Sequence, residues 1–219
     1  MNTITSPIQL ADERIDFLGK TYGMLALCIA AASVGAYFSM GISFPYEHPF
    51  IMLAIMMAGI FAVQAARHIS GLNFALLLAF GAITGLSISP LISMVAAKSG
   101  MLVTQAFLTT AVSFVALTAY VFISRKDFSF LKGFVWVGLI SMIVLGLSNY
   151  FFFESGTLQL AISGMSILLF SAFILYDTSN ILRTYPNNEY IAAALTLYLD
   201  VFLLFENLLY MFGALGGDD

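Results

Sequence analysis

Apolar residues in this 219-residue chain form long uninterrupted runs, and the charged residues lie almost entirely between them. Six intervals between charged positions each enclose 19 to 30 uncharged residues. Because a helix needs about 20 apolar residues to cross a bilayer, each interval predicts one spanning helix. The segment from Tyr190 to Phe212 predicts a seventh, although it contains Asp200 and Glu206. The predicted spans are about 21–41, 49–67, 72–95, 101–123, 131–153, 157–182 and 190–212.

The composition narrows the fold class to one. Hydrophobic residues make up 61% of the chain and charged residues 9%, with a mean hydropathy of +0.98, whereas soluble domains carry roughly 25% charged residues. We therefore predict an all-α polytopic membrane protein with one domain, residues 21–212, in which short connections place successive helices antiparallel. Residues 1–20 form a polar segment before this domain, and residues 213–219 form a short tail.

The basic residues predict the orientation of the chain. Seven alternating spans place seven of the eight Lys and Arg residues on the side of the N-terminus and leave only Lys98 on the other. Since Lys and Arg accumulate in cytoplasmic loops, the N-terminus is predicted to be cytoplasmic and the C-terminus extracytoplasmic. The first residues lack the basic start and apolar core of a cleavable signal peptide.

Two aspartates fall inside the last two predicted spans. A carboxylate in a spanning helix costs at least ~2.5–3.5 kcal/mol on insertion scales, so such a residue indicates function. Asp177 and Asp200 lie on either side of the polar loop Pro186–Glu189 at similar distances. If helices flank that loop, the two acids lie at similar heights on an antiparallel hairpin and can face each other.

Facing carboxylates away from water cannot both ionise cheaply, so Asp177 and Asp200 are predicted to hold one proton between them. This makes them a candidate pH sensor and, when both are deprotonated, a transient oxygen site suited to a hard cation. The alternative is a structural acid that hydrogen-bonds to polar groups on neighbouring helices. The candidates for such bonds are Thr178, Ser179, Asn180 and Tyr198.

Polar residues elsewhere in the spans are candidates for lining an ion path. Glu206 lies about 120° around the helix from Asp200, whereas Asn207 shares its face; Glu206 either lines an outer vestibule or reaches the outer interface. In the third span, Pro90 cannot donate to a helical carbonyl and should kink or unwind the helix, which would let Ser89, Pro90 and Ser93 line a cavity. The alternative for this span is close helix packing at Gly81 and Gly85.

The segments Leu175-Tyr176-Asp177-Thr178 and Leu197-Tyr198-Leu199-Asp200, with Arg125–Leu131, resemble the Bax inhibitor-1 family, bacterial YccA-like branch. The resemblance implies a seventh helix near the bundle centre and a location in the bacterial inner membrane. It also implies a pH-sensitive calcium leak gated by Asp177 and Asp200, with an arginine of the second helix paired to the first acid. Arg67 is the candidate for that arginine, and its other interpretation is a cytoplasmic anchor.

The acid pair and the resemblance to this family give two functional hypotheses, and the role of an FtsH-type protease comes from the resemblance alone. The first is a pH-sensitive cation leak channel with calcium as the ion; the second is an interaction protein that modulates an FtsH-type membrane protease through the polar N-terminal segment. The sequence contains no nucleophile–base constellation, no phosphate-binding glycine loop and no zinc-ligand spacing. We therefore expect no enzymatic activity and no resident cofactor, with the lipid bilayer as a partner and no nucleic acid.

Overall fold

The structure, a computed structural model, describes residues 7–216 and the side chains of residues 12–216. The outermost parts of the predicted N-terminal segment and C-terminal tail, residues 1–6 and 217–219, lie outside the described residues. All regular secondary structure between residues 7 and 216 is helical, which agrees with the all-α prediction. The helices are α1 (Pro7–Phe38), α2 (Phe44–Glu47), α3 (Pro49–Ala65), α4 (Leu72–Lys98), α5 (Gly100–Ser124), α6 (Lys132–Ser148), α7 (Gly156–Arg183) and α8 (Tyr190–Leu215).

Six of the described helical segments are long and apolar enough to cross a membrane. Each of these segments contains one long helix: α1, α4, α5, α6, α7 or α8. The segment with α6 also includes a 3₁₀ turn before the helix and a π-helical turn, Asn149–Phe153, after it. The ends of α4, α5, α7 and α8, and those of the segment Ser129–Phe153 that contains α6, lie within three residues of the predicted ones. Helix α3 is apolar but has 17 residues, so the seventh span stays a prediction.

Helix α1 is longer than the predicted first span. It begins at Pro7, where the fixed φ of proline suits the first helical position, and runs without interruption to Phe38. In its polar first part, the side chains of Asp16 and Lys20 are exposed, and Lys20 Nζ lies 2.6 Å from Asp16 Oδ2, one turn away. Charged residues mark the end of the apolar run, but a helix can continue past it, and here residues 7–20 do.

The residues through Ser87, together with Leu182–Tyr198, form the first of two structural units. In this unit α1 and α4 approach closely at glycines. A Cβ atom on Gly85 would overlap the Ala32 carbonyl, and one on Gly81 would lie 2.7 Å from the Cys28 carbonyl oxygen. The close packing predicted for Gly81 and Gly85 is therefore present, as expected for membrane helices that associate through small residues.

Ile88–Ile181, with the residues from Leu199 onward, form the second unit. Helices α6 and α7 pack at Gly138, where a Cβ atom would lie 2.5 Å from a Leu169 methyl carbon. Near the end of α8, Lys98 Nζ donates a 2.7 Å hydrogen bond to the Gly213 carbonyl. Helix α4 continues through Pro90 to Lys98, so the proline does not unwind it.

Candidate functional site: a buried carboxyl pair

Asp177 and Asp200 both belong to the second unit. Asp177 precedes the end of α7 by six residues, about 9 Å along the axis, and Asp200 is ten residues into α8, about 15 Å. Their exposed fractions are 7% and 5%. The two side chains lie within hydrogen-bonding reach of each other. The hairpin therefore brings together the acids that the sequence places on either side of the loop.

Buried apolar side chains lie about one turn from each acid along its own helix. Ile174 and Ile181 precede and follow Asp177 by about one turn, and Leu204 follows Asp200 by one turn. Each of these three is at most 1% exposed. In such surroundings an isolated ionised carboxylate is strongly disfavoured, and two adjacent ones are disfavoured further by mutual repulsion. The arrangement therefore favours one shared proton.

The hydrogen-bond partners of the neighbouring polar groups bear on the structural alternative. Asp200 Oδ2 and Thr178 Oγ1 are buried without a hydrogen-bond partner among the described residues. Ser179 Oγ instead accepts a 3.2 Å bond from the Phe128 backbone N–H, and in the first unit the Tyr198 hydroxyl bonds to that of Thr84. An unmatched buried carboxylate oxygen costs at least about 1–3 kcal/mol, so Asp200 is poorly explained as a purely structural acid.

Other predicted site residues of the second unit occupy two separate helices. On α8, Glu206 and Asn207 are half-buried, and Asn207 Nδ2 donates a 2.8 Å bond to the Leu203 carbonyl of its own helix. On α4, Ser89 is buried, while Pro90 and Ser93 are half-buried. Their role in lining an ion path stays a prediction.

Arg67 lies in the first unit, in the turn between α3 and α4. Its Nε is 3.8 Å from Glu189 Oε1 and donates a 3.0 Å bond to His68 Nε2. Glu189 belongs to the loop between α7 and α8, so Arg67 contacts the connection between the two acid-bearing helices. The predicted pairing of Arg67 with Asp177 stays a prediction.

Arg14 also contacts the α7–α8 loop, and the sequence pattern does not predict this contact. Its Nη1 donates bonds of 2.7 Å to the Tyr185 carbonyl and 2.9 Å to Asn187 Oδ1. Tyr185 and Asn187 follow Arg14 by 171 and 173 residues in the sequence. No local sequence pattern predicts a contact over that separation. Together, Arg14 and Arg67 tie the α7–α8 loop to the rest of the first unit.

A cation at the carboxyl pair would need further ligands. Within residues 12–216, no group of three or more His, Cys, Asp or Glu side chains is placed to hold a metal ion. Calcium takes six to eight oxygen ligands, so Asp177 and Asp200 could supply only part of a coordination shell. This suits a passing ion better than a resident one. The expectations of no resident cofactor and no catalysis stay predictions.

Long apolar helices and a buried carboxyl pair within them define a polytopic membrane protein with ionisable groups inside its helical bundle. Comparison with known proteins agrees, because the profile of the family described as "Inhibitor of apoptosis-promoting Bax1" matches residues 14–217. The chain therefore belongs to the Bax inhibitor family, as the sequence motifs predict.

Three relatives illustrate the breadth of the family. An uncharacterized protein of Pseudomonas aeruginosa is 39% identical over 204 residues, covering 92% of this chain and 90% of the relative. An uncharacterized membrane protein of Vibrio cholerae is 34% identical over 226 residues, covering 100% and 98%. Mouse protein lifeguard 4 is 32% identical over 203 residues, covering 90% and 84%. The family thus includes bacterial membrane proteins.

Proposed function

We propose that this protein is a pH-sensitive calcium leak channel whose titrating group is the Asp177–Asp200 pair. The observation that carries the proposal is the contact between two buried carboxyl groups, one of which keeps an oxygen without a partner among the described residues. A proton shared by the pair joins α7 to α8 at this level. Loss of that proton leaves two like charges in contact, which favours separation of the helices or binding of a cation.

The proposed arrangement in the membrane has seven spans. Helix α3, with 17 residues, is about 25 Å long and lies at the short end of the spanning range. Helix α8 is placed near the bundle centre, which is supported by its burial: 61% of its most apolar stretch is buried, against at most 39% in the other candidate spans. The N-terminus is placed in the cytoplasm and the C-terminus outside the inner membrane, on the basis of the Lys and Arg distribution.

The test is calcium flux into liposomes that hold the purified full-length protein and an enclosed calcium indicator. Asparagine cannot ionise, so Asp177→Asn and Asp200→Asn each imitate a protonated pair. We expect the flux of both variants to be independent of pH and equal to that of the wild type at the acidic end. This expectation holds whether acid opens or closes the path.

The matched control is Asp16→Asn, which makes the same chemical change at an exposed carboxylate paired with Lys20 on α1. This variant should keep the wild-type pH response. A wild-type response in both pair variants would refute the pair as the titrating group, and an absence of flux above that of empty liposomes would refute the channel itself.

Modulation of an FtsH-type protease is the second proposal and has weaker structural support. A free N-terminal handle is its main requirement, but α1 begins at Pro7 and Arg14 is bonded to the α7–α8 loop. The leak channel is therefore placed first. Co-purification of the protease with the intact chain, and its loss when residues 2–13 are deleted, would support the second role.

A further inference from the structure

The connection between α5 and α6 carries a cluster of positive charge. Three exposed basic residues, Arg125, Lys126 and Lys132, lie within eight positions, against one acidic residue, Asp127. The connection joins two helical segments that are each long and apolar enough to span a membrane. We therefore expect the connection to lie at a membrane surface, at the level of the lipid headgroups.

The backbone of this connection has a defined shape. Arg125 ends α5 in the left-handed conformation, with φ of 50°, and Asp127 Oδ1 accepts a 2.9 Å bond from the Ser129 N–H. Phe128 is buried, and its backbone N–H donates to Ser179 Oγ on α7. Because Phe128 fixes the middle of the connection to α7, the basic residues on either side are presented on an anchored backbone.

Exposed aromatic rings continue from the basic cluster into the membrane segment. Phe130, Phe134 and Trp136 have exposed fractions of 74%, 60% and 55%. Trp136 lies four residues after Lys132, so the two side chains share a face of α6. Aromatic side chains, Trp above all, favour the level of the lipid headgroups. The basic residues are complementary to an anionic lipid headgroup, and the exposed aromatic rings next to them are complementary to its acyl chains.

We propose that Arg125, Lys126 and Lys132 form a binding site for the headgroup of an anionic phospholipid, with the acyl chains against Phe134 and Trp136. A basic residue that serves only to set topology needs positive charge but no particular lipid. The proposed site instead selects among lipids, since each Lys or Arg near an anionic surface contributes roughly a fivefold preference. The proposal is independent of calcium transport.

Trp136 is the only tryptophan in the chain, so its fluorescence reports the lipid next to this site. The experiment compares quenching by brominated phosphatidylglycerol with quenching by brominated phosphatidylcholine, each at the same fraction in bilayers that hold the full-length protein. We expect phosphatidylglycerol to bind at least about five times more strongly. Raising the ionic strength should reduce this preference because exposed charges are screened. Equal quenching of the wild type by the two lipids would overturn the proposal.

Variants separate this site from a general effect of net charge. Combined Arg125→Gln, Lys126→Gln and Lys132→Gln should bring the preference to about one, whereas Arg125→Lys with Lys126→Arg and Lys132→Arg should keep it, because the charge is retained. Arg67→Gln removes a positive charge at another connection and should also leave it unchanged. A preference that survives in the triple Gln variant, or falls as far with Arg67→Gln alone, would overturn the proposal.

Discussion

Helices α6 and α8 are both apolar enough to cross a membrane, yet they are buried to opposite extents. In its most apolar stretch the segment that contains α6 has 6% of its residues buried, whereas α8 has 61%. The less hydrophobic of the two is the more buried one, and it carries Asp200, Glu206 and Asn207. Residues 133–153 of the α6 segment carry no charge.

This difference in burial between α6 and α8 follows from the properties of the surrounding lipid. Lipid tails are as apolar as leucine, so no hydrophobic driving force sends the most apolar helix to the interior. Instead, helices associate in the membrane because small side chains allow close approach and polar side chains form hydrogen bonds between helices. Helix α8 has five successive buried residues, Ile191–Leu195, three of which are alanine. Five successive residues make more than one helical turn, so no side of α8 is exposed along this stretch.

The largest expected effect comes from adding volume to each helix. Ala194 on α8 is fully buried, whereas Ser141 on α6 is exposed. Ala194→Leu should lower the free energy of unfolding by about 1–3 kcal/mol because the added carbons overpack a filled interior. Ser141→Leu should change it by less than about 0.5 kcal/mol, as is usual for exposed positions. Equilibrium unfolding by titration with SDS, followed by circular dichroism, measures both, and equal losses would contradict the contrast.

What the sequence predicts well is what depends on residues close together along the chain. The ends of α4 to α8 follow from charged residues that interrupt apolar runs. The meeting of Asp177 and Asp200 follows from their spacing around one loop, since a short connection makes the flanking helices antiparallel. The closeness of α1 and α4 follows in part from Gly81 and Gly85, although the sequence does not name the partner helix.

The sequence predicts poorly the contacts between residues far apart along the chain. It also predicts poorly where a helix extends beyond its membrane-spanning part. Arg14 meets the α7–α8 loop only after the whole chain has folded. The apolar pattern does not predict the start of α1 at Pro7, because charged residues end an apolar run without ending a helix. Hydropathy also ranks α6 and α8 in the wrong order for burial, since it measures preference for lipid and both lipid and protein interiors are apolar.

A smaller effect is expected where the entry to α8 is held by Arg14. Arg14→Gln removes the charge from the bonds to Tyr185 and Asn187; bonds to charged groups contribute about 1.5–3 kcal/mol, and we expect about 1 kcal/mol because Arg14 is only half-buried. Hydrogen exchange should become several times faster in residues 184–190. Asp16→Asn is the control, because it breaks an exposed ion pair with Lys20 within α1. Unchanged exchange in the Arg14 variant would show that Arg67 and Glu189 hold the loop alone.

The smallest expected effect concerns single hydroxyl groups on the two helices. Tyr198 on α8 is buried and bonds to Thr84 on α4, which in turn donates a 2.8 Å bond to the Gly81 carbonyl. Hydrogen bonds between membrane helices average about 0.6 kcal/mol, so Tyr198→Phe should lower the free energy of unfolding by about that amount. On α6, Ser141 Oγ donates to the Val137 carbonyl of its own helix, and Ser141→Ala should have no measurable effect. If the two substitutions cost the same, the hydroxyl groups do not distinguish the buried helix from the exposed one, and the small side chains of α8 alone account for its position.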